Sequence, residues 1–462
     1  MEPERPTAHF TPWRNWMNDP NGLLHHEGEY HFFFQYNRHS IEPGQSSWGH
    51  AISKDLLSWI ELPVAIPNTD EEYVLSGSAV VDHDNVSGLG EPDRPAMVAL
   101  YTSFDPVTKQ QRQAVAFSLD RGRTWQRYAG NPVLDIGSTE FRDPKLLRRG
   151  DRFVMAIVMA EDRTIRLYQS ENLLDWELSA EVGGFGYTEG VWECPDIVSV
   201  PLEGSDEQAW VLLLSVQAGG PVGGSGMQYA VVDFDGETFT LLQEARWLDH
   251  GADFYAAVAY TDAPGAPVIH GWMNNWLYAE HTPGSLFRGS ATLPRRLSLR
   301  RRDGALRLVQ RPVVAEGPAS IDATELSVAG VAALPEPGQA YHLTADLEFG
   351  TSVRMGFEVR IGDGERTRIV CDRTAGTVAV DRRTSGTTIH DAFAAVHSAL
   401  LPAPDVIRLD IYVDAASVEV LAADGEVALT DQIFPSPTST GLTAFAEGGT
   451  AVVRRLTVAP LL

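Results

Sequence analysis

Three carboxylates stand in short, distinctive motifs at widely separated places in the sequence. Asp19 lies in WMNDPNG, Asp143 in FRDPK and Glu193 in WECPD. Cleavage of a glycosidic bond through an oxocarbenium-like transition state needs two carboxyl groups in contrasting environments, one ionised and one protonated. The apolar residues Trp192 and Cys194 beside Glu193 favour the protonated form that a general acid needs. Carboxylate-based cleavage of a glycoside is therefore the first hypothesis.

Each motif on its own also has an ordinary structural interpretation. The sequence NDPNG around Asp19 is typical of a β-turn, and Glu193 could be a surface glutamate in a strand. Arg142 and Asp143 are neighbours, and adjacent residues of a strand point to opposite faces unless a turn intervenes. Either of these two residues could therefore be purely structural. The occurrence of the three motifs together is what favours a shared site.

Other kinds of catalytic site lack their sequence signatures. The chain has no HExxH, GxSxG or Walker motif. Its two cysteines, Cys194 and Cys371, are too few for a disulfide framework or a zinc site. The segment DHDN at 82–85 lacks the downstream Glu and the ordered spacing of a calcium loop. We therefore predict neither a metal nor a cofactor.

The elements that must position these carboxylates are β-strands. Short runs of Val, Ile, Phe, Tyr and Trp are bounded by Gly, Pro, Asn and Asp. A segment running from Ser to Trp recurs as SKDLLSW, SLDRGRTW and SENLLDW, with FDGETF as a weaker fourth copy. Its aromatic ends are Trp59, Trp125, Trp176 and Phe239. Their intervals are typical of four-stranded propeller blades with insertions, in which such aromatic residues pack between blades.

A polar residue follows each of these segments at a similar interval. These residues are Ser76, Asp143, Glu193 and Asp253. In a propeller the outer strand of one blade is followed by the inner strand of the next, so we expect all four residues to begin strands that line the central channel. With Asp19 at the start of the first such strand, these distant segments should converge on one pocket.

The character of the sequence changes after about residue 310. The last Trp is Trp276, and the following sequence alternates in strand patterns typical of a β-sandwich. We predict an all-β chain with a propeller over residues 1–310 and a β-sandwich over residues 311–462, connected through residues 295–312. A length of 462 residues is consistent with two domains.

Charge and hydropathy exclude several kinds of partner. Asp and Glu number 62 against 36 Lys and Arg, and the formal net charge of −26 argues against nucleic acid or an anionic membrane as partner. A neutral sugar fits this charge, although a soluble acidic surface would show the same excess. No apolar run reaches the roughly 20 residues of a membrane span, and residues 1–12 carry no secretion signal. We expect a cytoplasmic protein if the chain is native as written, and a secreted one if a signal peptide was removed.

Together, WMNDPNG, FRDP and WECPD resemble the motifs of glycoside hydrolase family 32, the invertases, inulinases and levanases. Segments such as FFQYN, SWGHAISKDL, GGSGMQY, DFYAA and GWMNNW extend the resemblance over about residues 5–312. It implies a five-bladed β-propeller followed by a C-terminal β-sandwich, and a retaining β-fructosidase acting on fructan or sucrose. It also implies that Asp19 is the nucleophile and Glu193 the acid/base, with carboxyl groups about 5 to 5.5 Å apart. Asp143 would hold fructose hydroxyls.

The resemblance further implies a set of substrate-binding residues. Arg142 would balance the charge beside Asp143. The other residues expected at the fructose pocket are Trp16, Asn18, Gln35, Trp48, Ser76, Tyr255 and Trp276. Three positions depart from the family pattern, since Arg38 and Pro43 replace a usual Pro and Trp, and Leu75 stands where Phe or Trp is usual. These departures concern substrate preference and leave the carboxylates untouched.

Several alternatives remain open beside an exo-acting fructan hydrolase. A fructosyltransferase would resolve the same covalent intermediate with a sugar instead of water. A non-catalytic fructan-binding protein would normally lack one of the three carboxylates, and a sialidase-like enzyme would need a cluster of arginines where only Arg142 is placed. The β-sandwich could pack against the propeller, bind a second sugar or mediate formation of a homo-oligomer. For a hydrolase we expect a bell-shaped pH profile on the acidic side of neutral.

Overall fold

The regular structure of this protein is almost entirely β-strand. A computed structural model describes residues 5–402 and 406–462. Five small sheets within residues 15–312 surround a common centre, and a ten-stranded sheet follows within residues 321–460. The predicted all-β class, a five-bladed β-propeller followed by a C-terminal β-sandwich, is confirmed. No helix among the described residues is long and apolar enough to cross a membrane.

Blades 1 to 3 follow the chain in order, each from its inner strand outward. Blade 1 contains β1 (Asn15–His26), β2 (Glu29–Asn37), β3 (Ser47–Ser53) and β4 (Ile60–Ile66). Blade 2 contains β5 (Tyr73–Asp82), β6 (Ala96–Phe104), β7 (Gln111–Ser118), β8 (Gln126–Arg127) and β9 (Leu134–Ser138). Blade 3 contains β10 (Phe141–Arg149), β11 (Arg152–Met159), β12 (Thr164–Ser170) and β13 (Glu177–Gly183).

Blades 4 and 5 complete the propeller. Blade 4 contains β14 (Trp192–Pro201), β15 (Gln208–Val216), β16 (Gly226–Phe234), β17 (Phe239–Leu241) and β18 (Arg246–Trp247). Blade 5 begins with β19 (Tyr255–Ala259) and β20 (Val268–Trp272). A 3₁₀ turn (Ala279–His281) and the short β21 (Phe287–Arg288) follow, and then the blade ends with β22 (Arg295–Arg302) and β23 (Ala305–Pro312).

Apolar cores between neighbouring blades fix the inner strands. The inner strands β1, β5, β10, β14 and β19 contact one another in a ring. A separate cluster of buried apolar side chains fills each of the five gaps between blades. Because each blade buries both of its faces against neighbours, the first residues of all five inner strands meet at one end of the channel.

The ring closes between blade 5 and blade 1 through backbone contacts. β21 pairs in parallel with β1. The N–H of Thr261 donates to the carbonyl of Leu23 at 2.9 Å, and the N–H of His25 donates to the carbonyl of Thr261 at 2.9 Å. Phe10, in the segment before β1, packs edge-on against Phe32 with ring centroids 5.0 Å apart.

The recurring Ser-to-Trp segments form the same turn in three blades. Trp59, Trp125 and Trp176 immediately precede the outer strands β4, β8 and β13. Each indole Nε1 donates to a backbone carbonyl of its own turn, at 3.0 to 3.1 Å. The ring of Trp125 packs against Phe33 between blades, with centroids 5.4 Å apart. The predicted role of these residues in packing between blades is confirmed.

The C-terminal sheet folds over itself to form the two layers of the sandwich. Its first strands are β24 (Ile321–Leu334), β25 (Tyr341–Glu348), β26 (Arg354–Ile361), β27 (Arg366–Asp372), β28 (Thr377–Thr384) and β29 (Val396–Leu400). The remaining elements are β30 (Ile407–Asp414), β31 (Ser417–Ala422), a 3₁₀ turn (Ala423–Gly425), β32 (Val427–Gln432) and β33 (Gly441–Pro460). The long β33 pairs with β26 in its first half and β25 in its second. Gly448, at φ 74°, lies at the bend between the halves.

Candidate active site

Each inner strand departs from regular pairing at the place where a candidate site residue lies. The register shifts lie between Met17 and Pro20, Val74 and Gly77, Arg142 and Lys145, Glu193 and Asp196, and Tyr255 and Val258. Three of these shifts contain a proline, namely Pro20, Pro144 and Pro195. Because proline has no N–H for the hydrogen-bond ladder, it is tolerated inside a strand at a bulge. At these three places a bulge accommodates the proline of an Asp-Pro or Cys-Pro pair, whereas β5 and β19 form their bulges without a proline.

The bulge in β10 brings both Arg142 and Asp143 into one cluster. Asp143 has a φ of 63°, and Cys194 at the equivalent place in β14 has a φ of 47°. An extra residue in a strand interrupts the alternation of its two faces. Arg142 accordingly reaches Glu193, while Asp143 contacts Cys194. The structure therefore answers the question that the sequence left open, since neither residue points away from the channel.

Asp19 is held by neutral donors at the centre of the cluster. Asn18 Nδ2 donates to its Oδ1 at 3.0 Å, and Ser76 Oγ donates to its Oδ2 at 3.1 Å. Trp16 Nε1 in turn donates to Asn18 Oδ1 at 2.7 Å, which fixes the orientation of that amide. Each donor stabilises the ionised carboxylate, but none carries a charge. The carboxylate is thus oriented without being neutralised.

Glu193 has a cation on one oxygen and a phenol on the other. Arg142 donates to Glu193 Oε1 from Nε at 3.2 Å and from Nη2 at 3.1 Å. Tyr255 donates its hydroxyl to Glu193 Oε2 at 2.5 Å. Arg142 also donates to Glu140 Oε2 at 2.7 Å. These polar partners were not evident from the apolar flank of Glu193, because they arrive from other strands.

Asp143 and Cys194 occupy the floor between the other two carboxylates. Asp143 is 6% exposed and accepts a hydrogen bond from the N–H of Cys194 at 3.0 Å. The Cys194 sulfur lies 3.7 Å from Asp19 Oδ2 and 3.7 Å from Asp143 Oδ2. Burial raises the pKa of this thiol well above its ordinary value, so it stays neutral. Sequence reasoning missed this role, although the place of Cys194 directly after Glu193 was the available signal.

Burial and mutual repulsion shift the protonation of the cluster. Burial and the charge of Glu193 raise the pKa of Asp19 to about 6. The same two causes raise the pKa of Asp143, and the Arg142 guanidinium opposes them only in part. Burial alone would lower the pKa of Arg142, but the charges of Glu193 and Asp143 raise it above its ordinary value. One cation thus serves three carboxyl groups, so the cluster retains a proton in mildly acidic solution.

Gln35 and Trp48 lie behind the pocket wall. Their exposed fractions are 2% and 0%. Gln35 Nε2 donates to the carbonyl of Val74 at 3.2 Å, and Trp48 Nε1 donates to the carbonyl of Leu75 at 2.9 Å. Both side chains therefore support the bulge that presents Ser76, and their predicted role in binding substrate stays a prediction.

An aromatic group borders the cluster beside blade 5. The ring of Trp276 stacks on Trp16 with centroids 6.1 Å apart, and it packs against Trp272 at 4.7 Å. Trp16 and Trp272 are buried, whereas Trp276 is partly exposed. Of these three indoles, Trp276 is therefore the one that is partly accessible to solvent.

Asp253 does not join the pocket, and the expectation that it would converge there is wrong. Its buried carboxylate accepts hydrogen bonds from Arg382 at 2.6 Å and from Tyr278 at 2.7 Å, in the contact between propeller and sandwich. Tyr255, two residues later, opens the inner strand β19 and reaches Glu193 instead. The spacing located strand β19 correctly. It did not show that Tyr255, which begins the strand, would reach the pocket in place of Asp253, which precedes it.

No metal centre is formed by the residues that the structure describes, because no three His, Cys, Asp or Glu side chains among them are arranged to hold an ion. The chemistry that the arrangement supports is that of its three carboxyl groups. One of them can act as an ionised nucleophile while another carries a proton.

The chain is similar in sequence and in fold to known proteins. Residues 9–312 match the family described as Glycosyl hydrolases family 32 N-terminal domain, and residues 315–460 match Glycosyl hydrolases family 32 C terminal. The chain is 39% identical over 482 residues to a levanase of Bacillus subtilis strain 168, with 100% of this chain and 71% of that protein covered. It is 38% identical over 499 residues to an extracellular exo-inulinase of Aspergillus niger, with 97% and 93% covered. The crystal structure of exo-inulinase from Aspergillus awamori matches with a TM-score of 0.96 at 35% identity, covering 100% of this chain and 99% of that one.

Proposed function

The chain belongs to glycosyl hydrolases family 32 and is a β-fructosidase, and on that premise we propose a retaining, exo-acting enzyme with Asp19 as nucleophile and Glu193 as acid/base. One observation carries this assignment of roles. Asp19, Asp143 and Glu193 come from three separate blades and converge around the Cys194 thiol at one end of the channel. The relatives named as levanase and exo-inulinase support fructans as the substrate class.

In the first step, the ionised Asp19 attacks the anomeric carbon of a terminal fructosyl unit. Glu193 gives its proton to the glycosidic oxygen, so the leaving sugar departs as a neutral alcohol. Asn18 and Ser76 hold the attacking carboxylate in place. The product of this step is a covalent fructosyl ester on Asp19.

In the second step, water replaces the departed sugar. Glu193, now ionised, takes a proton from the water, whose oxygen attacks the anomeric carbon and breaks the ester. Tyr255 and Arg142 both donate to Glu193, so they stabilise the ionised form that this step requires. Free fructose leaves with its anomeric configuration retained.

Asp143 and Arg142 complete the site without exchanging protons with the substrate. Asp143 is nearly buried, and its carboxylate can accept hydrogen bonds from hydroxyl groups of the fructosyl ring at the channel floor. The negative charge of this region also stabilises the positive charge that develops on the ring in the transition state. Trp276 offers an indole face at the rim.

Other features of the whole chain follow from the same proposal. We propose a domain boundary between residues 310 and 311, which the family matches at 9–312 and 315–460 support. The net charge of −26 supports a neutral sugar over nucleic acid or an anionic membrane as partner. Formation of a homo-oligomer through the β-sandwich stays a prediction, which light scattering across protein concentrations would test.

The proposal is tested by following free fructose and oligosaccharides released from levan, inulin and sucrose. Wild type should release fructose, and Glu193→Ala should lose on the order of 10³-fold or more of kcat/KM. Glu181→Ala, at an exposed glutamate on the outer strand of blade 3, is the matched control and should match wild type. Wild type that is inert on all three substrates would overturn the proposal, and oligosaccharides formed at high sucrose would reveal transfer instead of hydrolysis.

A further inference from the structure

An arginine of the sandwich reaches into the propeller beside the active site. Arg382, on β28, is 1% exposed. Its Nη1 donates to Asp253 Oδ2 at 2.6 Å, and its Nη2 donates to the hydroxyl of Tyr278 at 2.8 Å. The Tyr278 hydroxyl donates in turn to Asp253 Oδ1 at 2.7 Å. The three side chains therefore form a closed triangle of charge-assisted hydrogen bonds across the two domains.

Asp253 joins the triangle to the backbone directly before β19 and is also bonded to the sandwich strand β32. The N–H of Asp253 donates to the carbonyl of Thr430 at 3.0 Å, and the N–H of Gln432 donates to Asp253 Oδ2 at 2.8 Å. Both of these partners belong to β32 of the sandwich. Phe254 follows, with the Arg295 guanidinium 4.4 Å from its ring centroid. Asp253 is thus held from the sandwich, whereas Phe254 packs against a residue of the propeller strand β22.

Tyr255 lies two residues after Asp253, and its own strand pairs with it at a single place before the ladder shifts. Tyr255 pairs with Trp272, but the ladder shifts register immediately afterwards, and Ala256 has a φ of 51°. Regular pairing resumes only at Val258. The position of the Tyr255 hydroxyl, 2.5 Å from Glu193 Oε2, therefore depends on the residues before it as well as on the contact of Tyr255 with Trp272.

We propose that Arg382 is a positioning residue, through which the sandwich sets the hydrogen bond from Tyr255 to Glu193. Arg382 touches no reacting atom, and it acts through Asp253 and the short backbone between Asp253 and Tyr255. The inference rests on the proposed role of Glu193 as acid/base. Through Arg382 the β-sandwich thus contributes to catalysis as well as packing against blade 5.

The pH dependence of kcat/KM distinguishes positioning from mere stabilisation. Tyr255 donates to the ionised form of Glu193, so loss of this donor favours the protonated form. Arg382→Met and Tyr255→Phe should therefore both move the alkaline limb of the profile to higher pH, by about one unit. Because both changes act on the same hydrogen bond, the double variant should move the limb no further than Tyr255→Phe alone.

Two further variants serve as controls. Arg360→Met removes another buried arginine of the same sheet, whose donors go to carbonyls of Ser439 and Asp414 in the sandwich. It should lower the thermal midpoint and leave the alkaline limb in place. Arg382→Lys keeps a cation against Asp253 and should restore most of the wild-type profile. If Arg382→Met does not fold, Tyr278→Phe removes two bonds of the triangle but keeps the one from Arg382 to Asp253, and it should move the limb in the same direction by a smaller amount.

The measurement is kcat/KM for sucrose or levan against pH for these variants, with folding checked by circular dichroism. An Arg382→Met or Tyr278→Phe enzyme with a lower thermal midpoint and an unmoved limb overturns the inference. So does a double variant whose shift is the sum of the two single shifts. If Tyr255→Phe itself leaves the limb unmoved, or Glu193→Ala stays active, the proposed role of Glu193 fails first. The two failures are therefore distinguishable.

Discussion

Two groups of buried charges in this molecule are built in opposite ways. The carboxylate cluster of the proposed active site places Asp19, Asp143 and Glu193 together with one nearby cation, Arg142, which also bonds Glu140. The contact between propeller and sandwich instead gives its buried charges partners of opposite sign. Glu419 accepts from Arg295 Nε at 3.2 Å, from the N–H of Leu293 at 2.8 Å, and lies 2.9 Å from His9 Nε2.

Burial therefore has opposite consequences for the acidity of Asp19 in the first group and of Glu419 in the second. In the carboxylate cluster, burial and the charge of Glu193 raise the pKa of Asp19 to about 6. At the domain contact, burial alone would raise the pKa of Glu419, but Arg295 and His9 lower it to about 2. Burial alone would lower the pKa of His9, yet its hydrogen bonds to Asp414 and Glu419 raise it to about 9.

The difference separates what catalysis needs from what folding needs. A catalytic carboxyl group must change its protonation near the working pH, which requires that its charge be incompletely compensated. A structural charge must keep one state, which requires a full set of partners. The same carboxyl-to-amide substitution in each group should therefore change stability in opposite directions.

Asp19→Asn should give the largest effect on activity and raise stability. Loss of the nucleophile should reduce kcat on the order of 10⁴-fold or more. The pKa of Asp19 is higher in the folded protein than in the unfolded chain, so its ionisation destabilises the folded state. This destabilisation is complete above pH 6 and absent below about pH 4. We expect the variant to be about 1–2 kcal/mol more stable than wild type at pH 7.5, with no difference near pH 4.

Activity assays and denaturant unfolding at the two pH values check this prediction. Asp55→Asn, at an exposed turn of blade 1, is a suitable control because its carboxylate accepts several hydrogen bonds there. It should lose stability and keep activity. An inactive Asp19→Asn enzyme that is less stable than wild type at pH 7.5 would contradict the contrast between the two groups.

Glu419→Gln should destabilise the protein by about 3–5 kcal/mol, because it leaves the buried Arg295 and His9 without their shared anion. The folded fraction should keep nearly wild-type kcat, since Glu419 belongs to the sandwich strand β31 and bonds no member of the carboxylate cluster. Denaturant unfolding at pH 7 measures the loss, and active-site titration of the folded fraction measures kcat. If Glu419→Gln were as stable as wild type, the charge of Glu419 would not be needed to compensate those of Arg295 and His9.

His9→Gln should remove a pH dependence of stability between pH 6.5 and 9. The folded pKa of His9, about 9, exceeds its ordinary value of 6.5, so its contribution is complete below pH 6.5 and is lost as the pH rises through 9. Wild type should therefore lose about 2–3 kcal/mol across this window. The variant should be less stable at pH 6 and change little up to pH 9. Unfolding curves at pH 6, 7.5 and 9 that keep the wild-type slope in His9→Gln would refute this assignment.

The contrast also shows which features a sequence can reveal. The similar interval after each Ser-to-Trp segment predicted that Asp143 and Glu193 converge with Asp19, and the structure brings the three carboxylates together. The repeat of Ser-to-Trp turns predicted the blades, because the same local hydrogen bonds recur.

The domain contact could not be predicted in the same way. Asp253 and Arg382 are far apart in the chain, and no motif links them, since any strand residue can supply such a charge. Asp253 was for that reason assigned to the pocket, where spacing alone would place it. The supporting roles of Gln35 and Trp48 were likewise invisible, because burial depends on the neighbouring strand β5.

Ser76→Ala should give the smallest effect on activity, and it tests a single hydrogen bond of the carboxylate cluster. Ser76 Oγ donates to Asp19 Oδ2 at 3.1 Å and so stabilises the ionised nucleophile. Without this donor the pKa of Asp19 should rise further, and the acidic limb of kcat/KM, expected near pH 6, should move up by less than about one unit. Activity should therefore fall more at pH 5 than at pH 7. Ser78→Ala is the matched control, because the Ser78 hydroxyl on the same strand donates to the carbonyl of Pro144 at 2.8 Å. An acidic limb that moves equally in both variants would mean that strand β5, and not the single hydrogen bond, sets the acidity of Asp19.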